Sequence, residues 1–294
     1  MWRVLIFIIS IVCCAASSGE ILVEDDLGEK LRLQQPAQRI ISLAPNITES
    51  LFFIGAGEQV VGADEFSNYP EAAKDIARVS NYAGANYERI LSLQPDLVIA
   101  WNSGNGEQII KRIRNLGLPV FVIEPRSLHD LAAVVIKLGM LTGHPDQAEQ
   151  RATEFERGIN ELADKYSARK PVRVFYQIWN EPLITLNGKH LISDVLRLCG
   201  GENVFADAAP LVPYVNLEGV IQADPEVIIA SGSSDDSPAW LGMWRQWPQI
   251  TAVANNQVYY IPPDLMQRHS LRILEGARQV CQYLQEARFA ESSK

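Results

Sequence analysis

The 294-residue sequence predicts an α/β fold of two similar lobes, each built on a mostly parallel sheet and joined by a helical segment. Three observations carry that expectation. Residues 86–100 (NYERILSLQPDLVIA) return as residues 216–230 (NLEGVIQADPEVIIA), with Asn86/Asn216, Glu88/Glu218, Pro95/Pro225, Ile99/Ile229 and Ala100/Ala230 identical. Short apolar runs alternate with helical patterns through both halves, as in a parallel sheet covered by helices. Between the halves, residues 127–168 read as helix without a strand. Two copies are too few for a solenoid, which stacks three or more units. They suggest paired lobes, and paired lobes enclose a cleft.

Taken in order, residues 1–19 place Arg3 before the apolar run Val4–Val12 and then the small residues Ala15–Gly19. That is the layout of an export signal peptide, with an apolar run too short for a bilayer; Cys13 or Cys14 as a lipid-anchor site is the alternative. Residues 20–126 are expected to form the first lobe. Glu20–Leu33 reads as an edge hairpin turned at Asp25–Gly28, and RIISLAP as a buried strand. Asn46, with Glu49 three residues on, predicts a capping box at the start of the helix NITESLFFIGAG. Then follow strand EQVVGAD, helix ERILSL, strand DLVIAW, helix GEQIIKRIRNLG and strand PVFVIE. Pro95 and Pro225 cannot continue a helix, and the residue before each is expected to be extended.

Residues 127–168 form a helical spine in this reading, interrupted at Gly143–Pro145 and stiffer than paired extended linkers, so little hinge closure is expected. Residues 169–294 form the second lobe: strand VRVFYQIW, a turn at Asn187–Gly188, helix HLISDVLRL, the second repeat copy, helix WLGMWRQW, strand QVYYIP and a long helix from Ser270.

With 47% hydrophobic and 21% charged residues the chain has an ordinary globular composition, and a net charge of −9 argues against a nucleic-acid partner. An exported mature chain retains Cys199 and Cys281. A disulfide suits an oxidising compartment and would tie the last helix to the middle of the second lobe; two buried free thiols are the alternative. The four histidines, His129, His144, His190 and His269, are scattered, which argues against a metal site.

No GxSxG elbow is present, and Ser233 and Ser234 read as a solvated loop. The segment WNSGNG at Trp101–Gly106 looks like a dinucleotide turn but lacks the third glycine and the acidic partner of one. Trp240, Trp244 and Trp247, at i, i+4 and i+7, read as a packing stripe on one helical face. A different set of aromatics lies just beyond strand ends, where ligands of open α/β sheets bind. These are Phe66, Tyr69, Tyr82, Trp101, Trp179 and Tyr214. Such side chains with few fixed charges suit a large, flat, mostly neutral ligand.

RIISLAPNITESLFFIGAGEQVVGADEFSNYPEAA, ERILSLQPDLVIAW, CGGENVF and WPQITAVANNQVYYIPPDLMQR resemble the periplasmic substrate-binding proteins of ABC importers for vitamin B12 and ferric siderophores. The likeness covers nearly all of the mature chain. Through FSNYP, LVIAWNSGN and CGGEN it is most similar to the corrinoid-binding branch. The resemblance implies two Rossmann-like lobes bridged by a long rigid helix, no catalytic residue, no metal of its own and no cofactor beyond the carried cobalamin. It implies a disulfide between Cys199 and Cys281. Phe66, Tyr82, Trp101, Trp179 and Tyr214 would pack on the corrin, with Asp264, Leu265, Met266, Gln267 and Arg268 closing over its other side. Glu88 and Glu218 would meet arginines of the membrane permease dimer, the binding protein acting as a periplasmic monomer. The chain departs from the corrinoid pattern at Leu265, where the pattern has an aromatic, and it carries the Glu20–Leu33 hairpin typical of siderophore binders. A ferric siderophore or haem is thus the alternative ligand, for which Arg268 and His269 are the candidate contacts; an enzyme on the same scaffold is the distant one.

Overall fold

The structure, a computed structural model, describes residues 20–232 and 239–292. The export-signal reading of residues 1–19 and the loop reading of Ser233 and Ser234 lie outside the described residues. Strands β1 (Ile21–Glu24) and β2 (Lys30–Leu33) pair antiparallel as the predicted hairpin, a separate two-stranded sheet. The first half continues through β3 (Ile40–Ser42), α1 (Pro45–Phe53), β4 (Val60–Asp64), β5 (Arg78–Asn81) and β6 (Gly84–Ala85). It ends with α2 (Tyr87–Ser92), β7 (Leu97–Trp101), α3 (Asn102–Asn105), α4 (Glu107–Asn115) and β8 (Val120–Ile123). These strands form one sheet in the order β6-β5-β4-β3-β7-β8, parallel except at the β5–β6 pair.

Helices α5 (Leu128–Thr142) and α6 (Pro145–Tyr166) separate the halves. Ser127 and Asp130 form a reciprocal capping box at the start of α5, and Gly143, at φ +79°, ends it in the left-handed region. The chain then folds back, and α6 lies along α5 so closely that a Cβ at Gly139 would meet the Ala148 Cβ at 2.3 Å. Near its start α6 reaches the first half, Arg151 donating to the Phe53 carbonyl at 3.4 Å.

The second half comprises β9 (Val172–Gln177), β10 (Trp179–Asn180), β11 (Leu183–Ile184), α7 (Leu191–Leu198), β12 (Gly201–Asn203) and α8 (Leu217–Ala223). It closes with β13 (Val227–Ala230), α9 (Thr251–Ala254), β14 (Val258–Tyr260), α10 (Pro263–Met266) and α11 (Ile273–Ser292). Its sheet, β12-β9-β13-β14, is parallel throughout. At Gly158, α6 packs against Leu274 of α11, so this one helix contacts both halves. Cys199, at the end of α7, and Cys281, on α11, are joined by a disulfide.

The sequence repeat is also a repeat of structure. Asn86 and Asn216 cap α2 and α8, their side chains accepting from the Arg89 and Gly219 N–H groups at 3.0 and 2.8 Å. Asp96 and Glu226, one residue after each proline, accept from the backbone N–H of Arg39 and Arg173 at 2.9 and 2.7 Å. Those arginines in turn donate to carbonyls at the C-terminal ends of the two helices, that of the C-cap Leu93 and that of Ala223. Gln94 and Asp224, expected to be extended, instead adopt φ +47° and +40°. Proline disfavours the right-handed region for the residue before it, and a left-handed residue turns the chain directly from helix to strand.

Two further expectations are corrected. Helix α1 starts at Pro45 with Ala44 as its N-cap, so Asn46 lies inside the helix and no capping box forms; proline suits a first helical position because its missing N–H would have no partner there. Residues 239–246 form a 3₁₀-helix, in which residues four apart do not share a face, so Trp240 parts from Trp244, while Trp247, three beyond Trp244, packs against the same core. Of the three tryptophans only Trp244 is fully buried, its Nε1 donating to Gln177 Oε1 at 2.8 Å and its ring edge-on to Phe175.

Candidate functional site

Trp101 ends β7 at the carboxyl edge of the first sheet. The WNSGNG segment that looked like a cofactor turn is built around it. A Cβ at Gly104 would lie 2.2 Å from the indole, so glycine is what lets the ring rest against the backbone. Asn105 accepts from the Trp101 N–H at 2.8 Å and donates to the Leu43 carbonyl at 2.7 Å, pinning the turn to the sheet. Ser103 is held through its N–H and hydroxyl by the Glu124 carboxylate.

The indole lines a cavity of about 640 Å³ between the halves. From the first half come Trp101, Glu124 and Arg126; from the second come Ile178, Lys189, His190, Leu191, Leu211 and Val212, with Gln267 and His269 beyond α10. The His269 ring meets Trp101 edge-on at 5.3 Å between centroids and His190 at 5.7 Å. Burial pushes the His190 imidazole down to about 4, and burial together with His190 pushes His269 down to about 4, so both are neutral at pH 7. His190 Nδ1 accepts from the Ile192 N–H and caps α7. Trp101 Nε1 and His269 Nδ1 are buried with no hydrogen-bond partner among the described residues. Sequence reasoning left His190 unassigned: a histidine before a helix reads as a cap, and nothing local says that His269 lies beside it.

Among the described residues the exposed large aromatics are Phe66, Tyr69, Tyr82, Trp179, Tyr214 and Phe289. The first three follow strand ends, and Trp179 and Tyr214 lie on either side of β11. Phe66 and Tyr69 follow β4, and Tyr82, 93% exposed, sits between β5 and β6. Trp179 is on β10, directly opposite Ile184 of β11, and Ile184 bridges antiparallel to Tyr214. Residues opposite one another across antiparallel strands share a face. Trp179 and the 74%-exposed Tyr214 therefore flank Ile184 on one surface.

The five residues Asp264–Arg268 part company. Met266 is fully buried, its sulfur packed where Gly276 leaves room on α11, and Leu265 is buried beside it, because these two form the apolar inner side of α10. Arg268 is paired with Asp264 and with Glu49 of α1, each at 2.9 Å, and donates to Asn68 Oδ1 at 2.7 Å and the Phe66 carbonyl at 3.3 Å. Of the five, Gln267 alone lines the cavity, and it donates to Ser231 Oγ at 3.1 Å. Glu49 was read as a capping residue, and no local signal marks it as the acceptor of two arginines.

Glu88 and Glu218 occupy the first turns of α2 and α8, both exposed and in equivalent places of the repeat. Among the described residues no group of three or more His, Cys, Asp or Glu side chains is placed to hold a metal ion.

A family model described as periplasmic binding protein matches residues 40–265. A vitamin B12-binding protein of Vibrio campbellii is 38% identical over 254 residues, 86% of this chain and 91% of that protein. A vitamin B12-binding protein of Yersinia pestis is 38% identical over 250 residues, 85% and 87% of the two chains. The crystal structure of the periplasmic vitamin B12 binding protein BtuF of Vibrio cholerae superposes with a TM-score of 0.80 at 36% identity, covering 86% of this chain and 98% of that one.

Proposed function

Because this chain belongs to the periplasmic binding protein family, we propose that it captures vitamin B12 in the cleft between its halves and delivers it to the permease of an ABC importer. The observation that carries this reading is the chemistry of the strand ends. Five exposed aromatics, none of them lining the cavity itself, accompany Trp101, which does; Arg268 is neutralised by Glu49 and Asp264, and Arg126, Lys189 and Glu124 are the charged groups of the cavity wall. Anionic siderophores call for unpaired arginines. A flat, largely neutral macrocycle calls for aromatic faces and a few hydrogen bonds. Phe66, Tyr82, Trp101, Trp179 and Tyr214 pack on the corrin in this reading, and Gln267 supplies a polar contact. The protein is a periplasmic carrier rather than an enzyme, and cobalamin is its cargo rather than a cofactor. Glu88 and Glu218 each meet a basic patch on one half of a two-fold symmetric permease.

The test is to mix purified mature protein with cyanocobalamin, haemin and a hydroxamate siderophore, desalt, and record visible spectra. The cobalamin spectrum is expected to co-elute with protein. Retention of haemin or siderophore in its place would replace the reading.

A further inference from the structure

One buried carboxylate ties together two segments that carry proposed ligand contacts. Glu49 of α1 is fully buried and is not part of the wall of the Trp101 cavity. Three groups of the second half converge on it. Arg268 and Arg272 each place Nη1 2.9 Å from its Oε1, and Ser270 Oγ donates to its Oε2 at 2.6 Å. Both arginines then grip the same first-half loop beyond β4. Arg268 donates to Asn68 Oδ1 at 2.7 Å and to the Phe66 carbonyl at 3.3 Å, and the Arg272 guanidinium lies 3.8 Å over the Tyr69 ring. Arg268 also stands in sequence between Gln267 and His269, which both line the cavity. The loop that exposes Phe66 and the segment that brings Gln267 to the cavity are thus fixed at one point. The charges show why an acid is needed there. Arg268 is shared with Asp264, so two arginines face two carboxylates, with the arginine side chains only 12% and 13% exposed. Without Glu49 one carboxylate would remain for two shielded guanidinium groups, and a buried charge left uncompensated is costly.

We infer that Glu49 is a positioning residue for ligand binding, acting through Arg268 and Arg272 on the Phe66 loop and on the segment of Gln267 and His269. It touches no ligand itself. The inference rests on the proposed capture of cobalamin, which assigns contacts to Phe66 and Gln267. A site already held in its binding shape gives up less conformational freedom on association. Releasing the two segments therefore weakens affinity even where the fold survives. A residue needed for packing alone would tolerate an uncharged side chain of the same size.

The experiment compares wild type with Glu49→Gln, which keeps the volume and removes the charge, and with Glu49→Asp, which keeps the charge on a shorter stem. Trp244→Ala is the control, destabilised in the second-half core away from the cluster. Amide hydrogen exchange of the ligand-free proteins and Kd for cyanocobalamin are measured well below every melting temperature. Glu49→Gln is expected to exchange faster at residues 65–69 and 267–270 than elsewhere. It should also bind about 10-fold more weakly, the scale of re-ordering a few side chains on association. Glu49→Asp should fall between it and wild type; where Glu49→Gln does not fold, the same comparison is read from Glu49→Asp. Trp244→Ala should keep its affinity and show no selective exchange at those segments. Unchanged affinity in Glu49→Gln overturns the inference. So does an equal loss in Trp244→Ala, or exchange raised uniformly along the chain, either of which would make the effect one of stability alone. Failure of wild type to retain cyanocobalamin overturns the functional reading and the ligand role of Glu49 with it, while the exchange comparison, made without ligand, still supports or refutes the anchoring.

Discussion

Arg268 and Glu49 meet across the two halves, Nη1 standing 2.9 Å from Oε1 with the carboxylate fully buried. Arg272 reaches the same oxygen at 2.9 Å and Ser270 donates to the other at 2.6 Å. The cluster fastens the segment between α10 and α11 to α1, and through Asn68 and the Phe66 carbonyl Arg268 also holds the loop that displays Phe66. Arg268, expected from the resemblance to contact the ligand, is thus also held by two acids and by the loop that carries Phe66.

Glu49→Ala would leave the largely shielded Arg268 and Arg272 without the fully buried carboxylate they share. Breaking one side of a buried ion pair costs roughly 3–5 kcal/mol, so urea denaturation should show a loss of that order. Unchanged stability would mean that solvent reaches the cluster freely.

Trp101→Ala is expected to weaken cobalamin binding by about 1–3 kcal/mol, the scale of withdrawing a large aromatic face. Trp244→Ala removes a side chain buried in the second-half core, and should lower stability by roughly 3–5 kcal/mol while leaving affinity intact in the folded protein. Titration and thermal melts of the two variants separate the roles; exchanged phenotypes would put the ligand on the wrong face.

Acid should loosen the fold through the histidine pair. His190 and His269 are depressed to about 4 by burial, and in the unfolded chain they titrate near the ordinary value of 6.5. Below that value the unfolded state binds more protons, so stability is fully present above about pH 6.5 and is lost as pH falls toward 4. Each histidine contributes on the order of 3 kcal/mol across that window, less where their titrations couple. Glu124, Arg126 and Lys189 also line the cavity and modulate the shift. Melting temperatures from pH 7.5 to 4.5 should fall less steeply in His190→Gln/His269→Gln than in wild type. Parallel curves would assign acid sensitivity to other groups.

Cleaving the Cys199–Cys281 bond opens a loop set by a sequence separation of 82. The chain-entropy account expects a loss of roughly 4 kcal/mol for a loop of this length. Thiol titration of unfolded, unreduced protein should find no free thiol, and a reduced sample should denature at lower urea.

Glu88→Arg with Glu218→Arg reverses charge at two exposed, equivalent helix starts. Cobalamin affinity and melting temperature should stay nearly constant while transfer through reconstituted permease is abolished. Normal transport would leave the two acids as favourable partners of their helix dipoles, worth a few tenths of a kcal/mol, ~0.3–1 at most.

Much of the architecture was legible because the signals are short-range. DLVIA and EVIIA are too short and too β-branched to be helices, and the helical patterns before them end at the prolines. The failures were local as well. At α1, Pro45 outcompeted Asn46 for the helix start, and at Gln94 and Asp224 the need to turn at once into a strand overrode the usual extended preference before proline. The tryptophan stripe held for Trp244 and Trp247, three residues apart and packed in one core, and lost Trp240 because it assumed a period of 3.6 where the backbone is wound at three residues per turn.

The sequence alone determined the two mostly parallel sheets and the helical segment between them, since periodicity and proline breaks are properties of a few adjacent residues. Only the tertiary structure decided that Arg268 is spent on Glu49, 219 residues away, that Met266 faces the core, and that His190 and His269 converge on Trp101. Those contacts depend on how the two halves sit against one another, which is settled by the summed packing of α6, α11 and both sheets. No local pattern around any one of these residues carries that information.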